Sequence, residues 1–240
     1  MSYTVRDLDY WDKKISEIAK EKYNLDWYPI EYEIIDYREM LGAMAYVGLP
    51  THYRHWSYGK AYERTHTSYN LGQTGLPYEM VINSDPSIAY LMLENPLSTH
   101  ILTMAHVVGH VHFFKNNRMF QHTGANNVIS KFKAAARRVQ SYIENPNIGI
   151  DKVEKILDEA KYIMPQARTK IMNEGFACYM HYNILKDLKL PDEMHLAFIK
   201  LHNQVVRSHT GRINPYHLGF EMMMRIAEEH GHEAVVEAAN

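Results

Sequence analysis

A single cysteine, Cys178, occurs in 240 residues. That excludes an internal disulfide and fits a reducing compartment. Charge of one sign is also lacking. The 26 Lys and Arg against 28 Asp and Glu leave a formal net charge of −2, which gives no electrostatic reason to expect nucleic acid or an anionic membrane as partner. Apolar runs are short, well below the ~20 residues that a membrane span needs. The first stretch, MSYTVRDLDYWDKK, carries charges and no apolar core, so no signal peptide is visible. Linkers rich in Ser or Gly, internal repeats and low-complexity segments are missing too. These absences leave a cytoplasmic globular protein, without nucleic acid or a membrane span, as the expectation.

Hydrophobic residues make up 46% of the chain and charged residues 22%, an ordinary globular composition. At this length roughly 70–75% of the surface of the unfolded chain can be buried. The length allows one large domain or two small ones, and a single domain over 1–240 is the economical reading. The 15 histidines outnumber the 7 phenylalanines, and only their placement can say what they do.

Residues 5–23 read as a helix with Leu8, Trp11, Ile15, Ile18 and Ala19 on one face. Ile34 to Tyr46 reads as a second, closed by Gly48-Leu49-Pro50. The stretch Thr51 to Lys60 is dense in aromatic and cationic groups. It reads either as a packed loop of stacked rings or as the wall of a cleft, with Arg54 or Lys60 facing an anion. A third helix is expected over 61–69. Leu76 to Asn83 is the best strand, short, β-prone and bounded by turn residues. Asp85-Pro86 has the form of a helix start for a segment running to Glu94, and Asn95-Pro96 repeats it. Further helices are expected over 125–143, 151–163 (ending before Pro165), 166–189, 192–209 and 215–230. The fold class is mainly α (α+β): a helical domain with a short β element.

Chemistry centres on His106-Val107-Val108-Gly109-His110. Two histidines four residues apart leave one face of a helix about 40° apart, one turn from each other. One helix can thus hand two imidazoles to one metal ion. In zincin peptidases the pattern is H-E-x-x-H, whose Glu is the general base. Here that position is Val107, so the metal half of the motif is present without the catalytic half. A third ligand is needed. Glu174, within Asn173-Glu174-Gly175-Phe176-Ala177, resembles the third ligand of gluzincins, which sits on a second helix in an N-E-x-x-A-like setting. Gly175 inside a helix costs about 1 kcal/mol and so points to a packing or functional reason. His181 is seven residues on, about 10 Å along the axis, too far for the same ion, and is read as a supporting or core residue.

Several blocks in order carry a wider resemblance. They are Gly48-Leu49-Pro50, His55-Trp56-Ser57-Tyr58-Gly59-Lys60, and Tyr78-Glu79-Met80-Val81-Ile82-Asn83-Ser84-Asp85-Pro86. After them come Ala105-His106 to Gly109-His110, Phe113-Phe114-Lys115-Asn116-Asn117, Met172-Asn173-Glu174-Gly175 and Ile213-Asn214-Pro215-Tyr216-His217-Leu218-Gly219-Phe220. Over residues 40 to 220 the chain resembles the stage V sporulation protein R (SpoVR-like) family. The resemblance implies a cytoplasmic protein linked to spore cortex formation in spore formers, with relatives in bacteria that form no spores. Family members usually carry a further C-terminal region, and the expectation for this chain is a single SpoVR-like domain without it.

The resulting expectation is a zincin-like site between two helices, one zinc-like divalent ion per chain held by His106, His110 and Glu174. His55, Trp56 and Lys60 are expected to shape a substrate cleft. A hydrolase of peptide or amide bonds, acting on a small peptide or a peptidoglycan-type substrate, would take its base from outside position 107. Glu79 is the first candidate, then Glu63, with Glu94 and the more weakly placed His112 behind them. The alternatives are a non-catalytic metal-binding scaffold or regulatory interaction protein, and a protein that binds no metal at all, with His106 and His110 as hydrogen-bonded core histidines.

Overall fold

The structure is a computed structural model that describes residues 3–46, 56–71, 78–149, 158–209, 211 and 213–240. The described chain divides into two compact units, Met1–Tyr28 with Asn95–Gln121 and Gln166–Asn240, and Pro29–Glu94 with His122–Pro165. It is mainly helical with one small sheet.

The first unit opens with α1, Val5–Glu21. Thr4 and Asp7 cap it reciprocally, each side chain taking the other's backbone N–H. Leu8, Ile15 and Ala19 form its buried face, as their spacing predicts. The central element is α4, Leu97–Asn116, buried almost continuously from Thr99 to Phe114. A helix hydrophobic on all sides must have neighbours on all sides. In sequence order the other helices of this unit are the Gln166–Asp187 part of α6 (Asp158–Asp187), α7 (Asp192–Val205), α8 (Pro215–His230) and α9 (His232–Ala239). α1 and α7 pack on α4, and α9 packs on α8.

Two close approaches fix the helices around the later site. A Cβ built on Gly109 of α4 would sit 2.8 Å from the Ala177 Cα of α6. A Cβ on Gly175 of α6 would meet the backbone of Gly219 in α8, and one on Gly219 would meet the Ile171 carbonyl. Only residues without a Cβ let these backbones touch. Gly175, singled out as unexpected inside a helix, has this packing reason.

The second unit holds the sheet, in the order β1-β3-β2. β1 is Ile30–Ile35, β2 Glu79–Ile82 and β3 Ser87–Met92. β3 pairs parallel with β1, Ile30 opposite Ser87, and antiparallel with β2, Glu79 opposite Leu91. A parallel pair needs a crossover, and α2 (Tyr37–Ala45), α3 (Trp56–Asn70) and β2 lie between β1 and β3 in the chain. α5, Val128–Glu144, follows a single 3-10 turn at Ala125–Asn127; Val128 packs with Ile129, Phe132 and Ile163.

Several elements differ from the sequence reading. The segment expected as a helix over 34–46 is β1 followed by α2. Asp36 caps α2 through the backbone N–H groups of Arg38 and Glu39, so Ile34 and Ile35 belong to the strand. The segment expected as a helix over 84–94 is β3, whose Ser87, Ala89 and Leu91 are buried in alternation. The helix expected to end before Pro165 runs through it as α6. The third helix starts earlier, at Trp56, and α9 is an addition.

Candidate metal centre

α4 carries four buried histidines, His100, His106, His110 and His112, and a buried imidazole needs a partner. His100 Nε2 lies 2.8 Å from the Tyr3 hydroxyl. His112 Nδ1 lies 3.0 Å from both the backbone N and O of Asp26, and its ring stacks on Phe176. These two are core histidines. His106 and His110 differ. His110 Nδ1 is 2.8 Å from Asn173 Oδ1, and His106 Nδ1 is 2.9 Å from His181 Nδ1. Their Nε2 atoms then both face one carboxylate oxygen, Glu174 Oε2, at 3.4 Å from His110 and 3.8 Å from His106. The two rings are 4.5 Å apart and nearly perpendicular, at 86°.

These separations are longer than hydrogen bonds, and Glu174 Oε2 accepts none among the described residues although it is buried. A buried carboxylate oxygen left that way is costly. Bonds of about 2.1 Å at tetrahedral angles place neighbouring ligand atoms about 3.4 Å apart, which the Glu174–His110 separation of 3.4 Å matches and the Glu174–His106 separation of 3.8 Å exceeds. Two Nε2 lone pairs and a carboxylate oxygen are also the donor types zinc takes. Metal-bound imidazoles commonly give their other N–H to a nearby acceptor, and Asn173 and His181 occupy those positions. The residues fit a divalent metal. Burial pushes the Glu174 carboxyl up, but His106 and His110 outweigh it and hold the group well below the usual range.

Behind His106, His181 is fully buried, and its Nε2 is 2.8 Å from His202 Nδ1 on α7. Burial, aided by the neighbouring histidines, holds the His181 imidazolium well below its ordinary value; burial and His106 push His202 down to about 4. The Tyr216 ring, on the first turn of α8, is 6.4 Å from that of His106.

His106 and His110, chosen from spacing, and Glu174, chosen from its gluzincin-like setting, are thus brought together. Glu79 opens β2 and is half-buried, whereas Glu63 and Lys60 on α3, and Glu94, are exposed; all four belong to the second unit. Trp56 is the first residue of α3. His55 lies outside the described residues, as do Arg54 and Gly48-Leu49-Pro50. Sequence reasoning missed Asn173 as the partner of His110, although the N-E-x-x-A match contained it. It also missed His202, which carries no local signal.

A pH dependence follows from His100. Burial lowers it to about 4, below its unfolded value of about 6.5. Between these values the unfolded chain binds the proton and the folded chain does not, so stability falls as pH drops from about 6.5 to about 4. His100→Gln should make the decline of Tm over that window shallower. An unchanged slope would assign the acid sensitivity to other groups.

A family model described as SpoVR like protein matches residues 2–161 and 158–239. The uncharacterized protein YcgB of Escherichia coli (strain K12) is 29% identical over 325 residues, taking in 91% of this chain and 63% of the relative. The chain thus spans less than two thirds of that relative's length. No solved structure gives a significant match. No helix among the described residues is long and apolar enough to cross a membrane.

Proposed function

This chain belongs to the SpoVR family, and from that premise we propose that it is a metal-dependent, zincin-like hydrolase of peptide or amide bonds. One zinc-like ion per chain would be held by His106, His110 and Glu174. A peptidoglycan-type or small peptide substrate and a link to spore cortex formation accord with the family resemblance. The observation that carries the reading is the convergence of two Nε2 atoms on Glu174 Oε2 while both Nδ1 atoms are bonded outward.

When bound, a divalent metal with one open position lowers the pKa of a coordinated water and polarises a carbonyl. The protein's own part is orientation. Asn173 holds the His110 ring, His181 holds the His106 ring, and the Gly109–Ala177 approach keeps α4 against the helix bearing Glu174. A proton acceptor must come from elsewhere, because Val107 is fully buried and apolar. Glu79 is the first candidate, since it and Val81 share one face of β2 by alternation. Glu63 is second. His55, Trp56 and Lys60 are proposed to shape the cleft.

Val107 also favours a second reading, a metal-binding scaffold that catalyses nothing. A screen of peptides and muropeptides against wild type, Glu174→Gln and Glu79→Gln separates the two. The hydrolase reading expects turnover by wild type, its loss in Glu174→Gln along with the metal, and a fall of about 10²–10⁴-fold in Glu79→Gln with metal retained. Full turnover in Glu79→Gln removes it as the base. Metal bound by wild type without any turnover favours the scaffold.

A further inference from the structure

Resting on the metal reading above, we infer that His181 and His202 are positioning residues for His106, forming a chain of three imidazoles whose polarity is set by the metal. The geometry leaves few choices. The chain is His106 Nδ1 to His181 Nδ1 at 2.9 Å, then His181 Nε2 to His202 Nδ1 at 2.8 Å. All three rings are buried, with His181 entirely enclosed.

A neutral imidazole has one N–H and one lone pair. If His106 gives its Nε2 lone pair to a metal, its proton sits on Nδ1. His181 Nδ1 must then accept, so the His181 proton is on Nε2. His202 Nδ1 must accept in turn, so its proton is on Nε2. One coordination bond thereby fixes three tautomers. The reverse order, from His202 inward, puts a proton on His106 Nε2, the atom that faces Glu174, and is incompatible with a ligand role. The bond to His181 thus selects between a ring that can coordinate and one that cannot.

The same cluster invites a different use. The ligand atoms of Cys178, His106 and His181 lie within 4.8 Å of one another. An ion there would need the two Nδ1 lone pairs aimed at a third point. In the structure the two Nδ1 atoms are aligned on each other as a hydrogen bond, which argues for a chain and against a second ion.

Asn173 performs the equivalent task for His110 with an amide oxygen. That suggests the conservative variant. His181→Asn keeps an acceptor for His106, whereas His181→Phe fills the space and removes it. Zinc affinity, measured by competition with a chelating dye, should fall about 10–100-fold in His181→Phe and stay within about threefold of wild type in His181→Asn. Long-range ¹H–¹⁵N spectra of the zinc-loaded wild type should show protons on Nδ1 of His106 and on Nε2 of His181 and His202. That readout does not depend on whether His181→Phe folds. Equal affinities for wild type and His181→Phe, or a proton on Nδ1 of His181 in the loaded protein, overturn the inference while leaving the metal reading intact. If wild type binds no stoichiometric zinc, both fall together.

Discussion

His110→Ala is expected to lose stoichiometric metal, as are His106→Ala and Glu174→Ala, while His100→Gln and His112→Gln retain it. Each of the first three removes one of three converging donors. The binding free energy of a four-ligand structural zinc site, about 10–16 kcal/mol, shared among its ligands gives about 3 kcal/mol for each, more than a hundredfold in affinity. The controls lie on α4 with His106 and His110 and are buried as they are, so for those two variants they test placement and not helix disruption. His100 faces Tyr3 and His112 faces Asp26, neither of them near the Glu174 carboxylate in hydrogen-bonding terms. Elemental analysis of the purified variants reads the outcome. Full metal in both His106→Ala and His110→Ala would move the site elsewhere.

Gly175→Ala and Gly219→Ala should be the most destabilising Gly→Ala changes among the described glycines. In each, the added Cβ meets backbone atoms of the facing helix, which cannot rotate aside as a side chain can. Overpacking of this kind costs about 1–3 kcal/mol and occasionally more. At ordinary helical positions the same substitution has the opposite sign, because Ala is the better helix former by about 1 kcal/mol. Gly42 supplies that control, since it lies within α2 with nothing within 4 Å of an added Cβ. Denaturant midpoints should therefore fall for Gly175→Ala and Gly219→Ala and rise for Gly42→Ala. Gly175→Ala should also weaken metal binding, because the displaced backbone carries Glu174 with it. A stabilised Gly175→Ala would show that α6 and α8 do not meet there.

The convergence of His106, His110 and Glu174 was more legible than the sheet. A helical period places His106 and His110 on one face whatever surrounds them, and Glu174 stood in a gluzincin-like N-E-x-x-A setting, with Gly175 beside it as a lesser sign. Local spacing could not show that His106 and His110 differ from His100 and His112, since all four are buried on α4 and only tertiary partners separate them. His202 was invisible for the same reason: its partner is 21 residues away in sequence. β3 was misread because Asp85-Pro86 can begin a turn as well as a helix, and because a strand paired on both sides with apolar residues on both faces reads like a short buried helix. β1 was misread from the opposite end. Its last residues, Ile34 and Ile35, precede the capping box of Asp36 and Glu39, a signal that placed the helix start one residue beyond the strand. Pro165, read as a stop, lies within α6 and is buried, so tertiary packing holds helical backbone through a residue that lacks an N–H.

The most direct measurement is a zinc-edge anomalous difference map from crystals of zinc-loaded protein. One peak per chain is expected, bonded to His106 Nε2, His110 Nε2 and a Glu174 carboxylate oxygen at about 2.1 Å. A peak shared by His181 and Cys178, or no peak bonded to Glu174, would contradict the assignment of these three residues as the metal ligands.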